Sequence, residues 1–173
     1  MTERIIIAGS GGQGIMLLGK VLAEAAMLEN KFVTWLPCYG AEVRGGTAYC
    51  MLVISDGQIG SPYVEKADAL IVMNQPSFDK FKSRLKAAGL LIVNTSLVQK
   101  ASGRANAYPF TDIAERLGNI RVANMVALGV YLEKTKALKI ENVFKAMERI
   151  APSGKKGLIE INKTALKEGM KLK

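Results

Sequence analysis

Glu42 and Arg44 stand two residues apart in the stretch YGAEVRGGTA, and Gly45 and Gly46 follow directly. In extended backbone, alternate side chains share a face, so the carboxylate and the guanidinium project to one side. An arginine held this way presents a planar fork to a carboxylate or phosphate, and a glycine pair lets a ligand come close to the backbone. The same residues read equally well as a surface ion pair on a wide turn. The second stretch with chemical content is GSGGQG, Gly9 to Gly14, which satisfies G-x-G-x-x-G between a strand-like run and a helical one. Free N–H groups at a helix start, beside glycines, form an anion site.

Neither nucleotide template is completed. The dinucleotide fingerprint needs an acidic residue about twenty positions on, to bind a ribose hydroxyl. The second strand instead reads FVTWLP, with Glu29 and Glu42 outside it on either side. A P-loop can be laid on Gly14 to Lys20, but the eighth position is Val21, which has no hydroxyl for magnesium. What remains is an anion-binding or docking edge, or a tight strand-to-helix turn with no ligand.

The chain of 173 residues contains no histidine, and its two cysteines, Cys38 and Cys50, lack zinc or iron-sulfur spacing. Metal binding and imidazole catalysis are therefore not expected of it. A net charge of +9 fits an acidic partner or a phosphorylated small molecule. The lysines are scattered, with no dense basic run and no interleaved aromatics, so nucleic acid is not expected as a partner. A charged start without a signal segment, and no apolar run of about eighteen residues, point to a cytoplasmic protein with no membrane association.

The elements that must position these residues alternate between strand and helix. Strands are expected over residues 4–8, 32–36, 47–54, 69–73, 90–93 and 104–108. Helices are expected over Ile15–Leu28, 76–86, 110–118, 124–131, Ile140–Ile150 and 157–169. This pattern gives a single α/β domain over residues 1–173, a three-layer arrangement with helices packed on a sheet and a Rossmann-like first strand-loop-helix unit. The third strand follows the second too closely for a helical crossover, so the sheet is mixed and mostly parallel. Polar residues follow the apolar strands, Asn74-Gln75 after ALIVM and Asn94-Thr95-Ser96 after LLIV. Ligands collect at such strand ends, although caps and turns use the same residue types.

Taken together, GSGGQG, LPCYGAEVRGGTAYC, SPYVEKADALIVMNQPSFDKF, GLLIVNTSL and ANMVALG resemble the gamma subunit of the 2-oxoacid:ferredoxin oxidoreductases, in order over nearly the whole chain. The likeness is greatest to the 2-oxoglutarate (ketoglutarate) type, because a pyruvate-type chain would carry an FGPERRG-style segment where this one has YGAEVRG. The resemblance implies a subunit that is not catalytic alone. Its complex would convert a 2-oxoacid and coenzyme A to acyl-CoA and CO2 and reduce ferredoxin. Thiamine diphosphate, magnesium and iron-sulfur clusters would lie in partner alpha and beta subunits and in a ferredoxin-like delta subunit. This chain would shape the CoA side of the site. Gly11, Gly12, Gln13 and Gly14 would act as backbone donors, with Tyr39, Glu42, Arg44, Gly45, Gly46 and Asn74 lining the same cleft. The alternatives are pyruvate or branched-chain specificity, a subunit whose glycines only pack against alpha, or a free-standing nucleotide-binding regulator.

Overall fold

The computed structural model describes residues 1–38, 47–99, 101, 105–151 and 156–173. In chain order the elements are β1 (Thr2–Ser10), α1 (Ile15–Leu28), β2 (Phe32–Cys38), β3 (Thr47–Ser55), β4 (Ala67–Val72), α2 (Gln75–Phe81), β5 (Leu85–Asn94) and β6 (Ala105–Tyr108). The last third is helical: α3 (Phe110–Arg116), α4 (Ala123–Thr135), α5 (Ile140–Ile150) and α6 (Lys156–Met170). The six strands lie in the order β2-β3-β1-β4-β5-β6. β3 is antiparallel to both its neighbours, and the remaining pairs are parallel. The sheet is therefore mixed and mostly parallel, as the spacing of its strands implies.

The alternation within β1 assigns the two faces. Ile5 and Ile7 join one apolar cluster with α1, α3, α4, α5 and α6, while Ile6 and Ala8 join another with Phe78 and Phe81 of α2. All four side chains have no exposure, which is why the run IIIA is continuously apolar rather than alternating. The layers are unequal. Five helices cover the first face; α2 and the loop residues Val64 and Val98 cover the second.

α4 is buried on all sides from Ala123 to Leu132, because α6 packs on the side turned away from the sheet. Gly129 and Gly169 make that crossing possible. A β-carbon on Gly129 would overlap the Leu166 carbonyl and lie 2.9 Å from the Gly169 Cα. One on Gly169 would overlap the Val126 carbonyl. Here the two backbones touch directly.

The helix expected over 76–86 is shorter. It ends at Phe81, tightens into a single 3-10 turn at Lys82–Arg84, and Leu85 opens β5. Tertiary contacts override the helical spacing. Leu85 pairs with Ala67, Lys86 forms an ion pair with Asp68 at 2.5 Å, and the Arg84 guanidinium donates to the Glu65 carbonyl at 3.2 Å. No helix among the described residues is long and apolar enough to cross a membrane.

The α4–α6 crossing yields a paired test. Gly129→Ala overpacks backbone against backbone and is expected to cost about 2–3 kcal/mol. Gly157→Ala, where a β-carbon meets only open space, should be neutral or gain up to about 1 kcal/mol of helix propensity. Urea unfolding midpoints of the two variants check both signs.

Candidate functional site

Because β1, β4, β5 and β6 run the same way, their carboxyl ends share one edge of the sheet. From β1 the chain leaves through α1 on one face, and from β4 through α2 on the other. The crevice between these two strand ends is the switch point of the sheet, where open α/β folds place ligands.

The glycine loop sits at this point. Gly12 and Gly14 have φ of 88° and 71°, a left-handed backbone that side-chain-bearing residues rarely adopt. Gly14 is the N-cap of α1 and supplies no side-chain cap. The Leu18 N–H is the first to return into the helix, donating to the Gly14 carbonyl at 3.0 Å. The N–H groups of the turn before it have no acceptor within the helix and carry the positive end of its dipole.

Side-chain amides fix the loop. The Ser10 N–H donates to Gln13 Oε1 at 2.7 Å, and Gln13 Nε2 donates across the crevice to the Met73 carbonyl at 3.3 Å. Asn94 Nδ2 donates to the same carbonyl at 3.1 Å. Asn124, from the first turn of α4, donates through Nδ2 to the Gly14 carbonyl at 3.0 Å. It is 1% exposed, and its Oδ1 finds no partner among the described residues. A β-carbon at residue 14 would collide with this amide, so glycine is required there twice over.

A cavity of about 180 Å³ opens beside the loop, and Gly12, Gln13, Thr111, Ile120, Arg121 and Ala123 are among the residues that line it. Arg121 is exposed and lies in a 3-10 turn, Ile120–Val122, that leads into α4 and is capped by the Asn119 side chain, which accepts the Arg121 N–H at 3.0 Å. The glycine turn at the uncapped start of α1 and one guanidinium thus border a common space. This arrangement stabilises negative charge. Ile120 and Leu97, 56% and 44% exposed, form an apolar rim.

The residues singled out from sequence fare differently. Gly11, Gly12 and Gly14 are at the mouth of the crevice. The Gln13 N–H is already engaged, closing the turn on the Ser10 carbonyl at 3.2 Å, so this residue contributes its side chain rather than a free backbone donor. Asn74 accepts the Ser77 N–H at 3.1 Å and caps α2, which makes its oxygen a structural acceptor. Asn94 and Ser96 are caps too, accepting the N–H groups of Thr111 and Asp112 at the start of α3. Tyr39, Glu42, Arg44, Gly45 and Gly46 lie outside the described residues. The strand ends that flank them, Cys38 and Thr47, are at this edge of the sheet, with Thr47 opposite Ser10. Arg121, Thr111 and Asn124 had no sequence signal of their own; the only hint was ANMVALG, whose first polar residue proves to be the clamp.

Among the described residues no three His, Cys, Asp or Glu side chains gather where a metal ion could be held. Cys50 is buried beneath α1, with its Sγ donating to the Ile15 carbonyl at 3.8 Å. Burial pushes its thiol up to about 12.

The family model for pyruvate ferredoxin/flavodoxin oxidoreductase matches residues 4–172. The chain is 37% identical over 168 residues to ketoisovalerate oxidoreductase subunit VorA of Methanothermobacter thermautotrophicus, a match covering 96% of this chain and 35% of that protein. It is 36% identical to 2-oxoglutarate synthase subunit KorC of Methanocaldococcus jannaschii, covering 94% of this chain and 92% of that one. The crystal structure of a keto/oxoacid ferredoxin oxidoreductase gamma subunit from Geobacter sulfurreducens superposes with a TM-score of 0.84 at 33% identity, over 98% of this chain and 96% of the other. The chain thus spans about a third of the length of the ketoisovalerate relative and nearly all of the other two.

Two outcomes follow from the site's construction. Asn124→Ala should cost about 1–2 kcal/mol in urea unfolding and speed amide exchange at residues 14–18. In the native protein a thiol reagent should modify Cys38 and spare Cys50, with both reacting after denaturation; labelling followed by peptide mass analysis reads this directly.

Proposed function

The chain belongs to the pyruvate ferredoxin/flavodoxin oxidoreductase family, and from that premise we propose that it works as the gamma subunit of a multi-subunit 2-oxoacid:ferredoxin oxidoreductase. The complex would decarboxylate a 2-oxoacid oxidatively, transfer the acyl group to CoA and pass electrons to ferredoxin. The KorC likeness at nearly full length on both sides supports 2-oxoglutarate as the oxoacid, with the branched-chain class, suggested by VorA, and pyruvate as the competing specificities. Thiamine diphosphate with magnesium and the iron-sulfur clusters, carried by alpha, beta and delta partners, would supply decarboxylation and electron transfer. This chain contributes no catalytic group in this reading.

Its own part is to bind the anionic portion of CoA. The observation that carries this reading is the convergence of Arg121 with the glycine turn at the uncapped start of α1 on one small cavity. Phosphate oxygens there would accept N–H groups of the first turn of α1 while Arg121 neutralises their charge. Gly11, Gly12 and Gly14 keep the approach clear of side chains. Glu42 and Arg44, between strand ends at the same edge, would add a second charged contact, with Tyr39 and the Gly45-Gly46 pair beside it. The apolar rim of Ile120 and Leu97 suits the alpha subunit or the aliphatic arm of CoA.

The test is kinetic, on the assembled complex with 2-oxoglutarate, CoA and an artificial acceptor. Loss of one charge-assisted hydrogen bond, worth about 1.5–3 kcal/mol, should raise the KM for CoA in Arg121→Gln by about tenfold or more. The KM for the oxoacid and the co-elution of the subunits should not change. A variant that no longer assembles, or one with an unaltered KM for CoA, contradicts the assignment.

A further inference from the structure

We propose that the opposite end of the sheet carries a second, independent binding site, for a small phosphorylated ligand of the nucleoside-phosphate class. A cavity of about 530 Å³ opens there between the start of β1, the end of β3 and the loop that leads to β4. That volume is within the range of small-molecule pockets. Arg4 and Ser10 are both on β1, so this cavity lies about 20 Å from the glycine loop at the usual strand rise. No residue is shared between the two.

The lining is chemically biased. Arg4, Lys66 and Lys86 line it with one carboxylate, Glu65, and a second carboxylate, Asp68, lies against Lys86, which leaves an excess of positive charge. Lys86 is held by Asp68 at 2.5 Å, and Lys66 donates to the Ser83 carbonyl at 2.8 Å. Asp68 also accepts the Arg4 N–H at 2.9 Å. The Arg4 guanidinium itself bonds to none of the described residues and is open to a ligand. A phosphate would meet a fork from Arg4 and the remaining protons of both ammonium groups.

The wall opposite supplies a ring. Tyr63 is 56% exposed and lines the cavity, and the Arg84 guanidinium packs 5.0 Å from its ring centroid. A ring already flanked by a cation is an amphipathic platform on which a planar base can stack.

The site is built before any ligand arrives. Val64 is fully buried, and its N–H donates to Met51 Sδ at 3.3 Å. The Arg84 guanidinium donates to the Val64 and Glu65 carbonyls, fixing the chain on either side of the pocket wall. Ser55, 5% exposed, accepts the Gly57 N–H at 3.2 Å and contacts Thr2 Oγ1 at 2.8 Å. A loop without a task need not be tied at so many points.

The experiment is isothermal titration of the full chain with AMP, and with inorganic phosphate for comparison, at low ionic strength. AMP should bind more tightly than phosphate. Arg4→Gln should weaken both about tenfold, and Tyr63→Ala should reduce the AMP advantage alone. These effects should persist in an Arg121→Gln background, which silences phosphate binding in the other cavity, and AMP should still bind the assembled complex. No heat with either ligand, AMP affinity unchanged in both Arg4→Gln and Lys66→Gln, or loss of binding in Arg121→Gln overturns the proposal. So does loss of binding on assembly, which would make this face a subunit interface. Since the readout is binding to this chain, the proposal can fail while the CoA reading stands, and the reverse.

Discussion

The Met73 carbonyl accepts two side-chain amides, one from Gln13 at 3.3 Å and one from Asn94 at 3.1 Å, and the carboxyl edge of the sheet depends on this double contact. β1 and β4 are parallel neighbours whose chains depart to opposite faces, and beyond the Met73 N–H, which donates to the Ala8 carbonyl at 2.9 Å, side chains must hold the loops above them together. Gln13 and Asn94 do so from either side. Asn124 completes the clamp by binding the Gly14 carbonyl. The result is a glycine turn that stays open to a ligand although glycine would otherwise leave it loose.

Rigidity of the turn matters for its electrostatics. A helix start attracts an anion only if its first N–H groups are aimed before the ligand comes, since ordering them afterwards costs entropy. α1 is anchored beneath by Cys50, whose Sγ donates to the Ile15 carbonyl, and above by Asn124. α4, which carries both Asn124 and the start that adjoins Arg121, is in turn locked by its glycine crossing with α6. The carboxyl-terminal helix is therefore linked to the glycine loop near the amino terminus through two close approaches, the Asn124 side chain on Gly14 and the α6 backbone on Gly129. That linkage explains why the described core on this face of the sheet draws residues from α1, α4 and α6 into one cluster.

Much of this was legible in the sequence. Continuous apolar runs such as ALIVM and LLIV mark strands covered on both faces, and the turn residues mark where each stops; α1 and α5 fall on the residues their periodicity names. The mixed sheet followed from the short link between β2 and β3. What could not be read depends on distant partners. Residues 82–86 have helical spacing, yet contacts with Glu65, Ala67 and Asp68 draw them into a turn and a strand. Arg121 is one arginine among scattered cations until the fold brings it beside a loop more than a hundred positions earlier. Asn74, read as a ligand residue, caps α2 with its oxygen, because caps and ligand contacts use the same side chains.

The central claim is that the α1 start and its glycine loop receive the anionic part of CoA within the assembled enzyme. Hydrogen exchange of the complex, followed by mass spectrometry with and without CoA, addresses it most directly. The account predicts that CoA slows exchange in the peptide spanning residues 11–17 beyond the protection that assembly alone provides, and leaves the β3–β4 loop unchanged. Equal exchange at residues 11–17 with and without CoA, when the subunits are assembled, would contradict it and leave the glycine loop as a subunit contact.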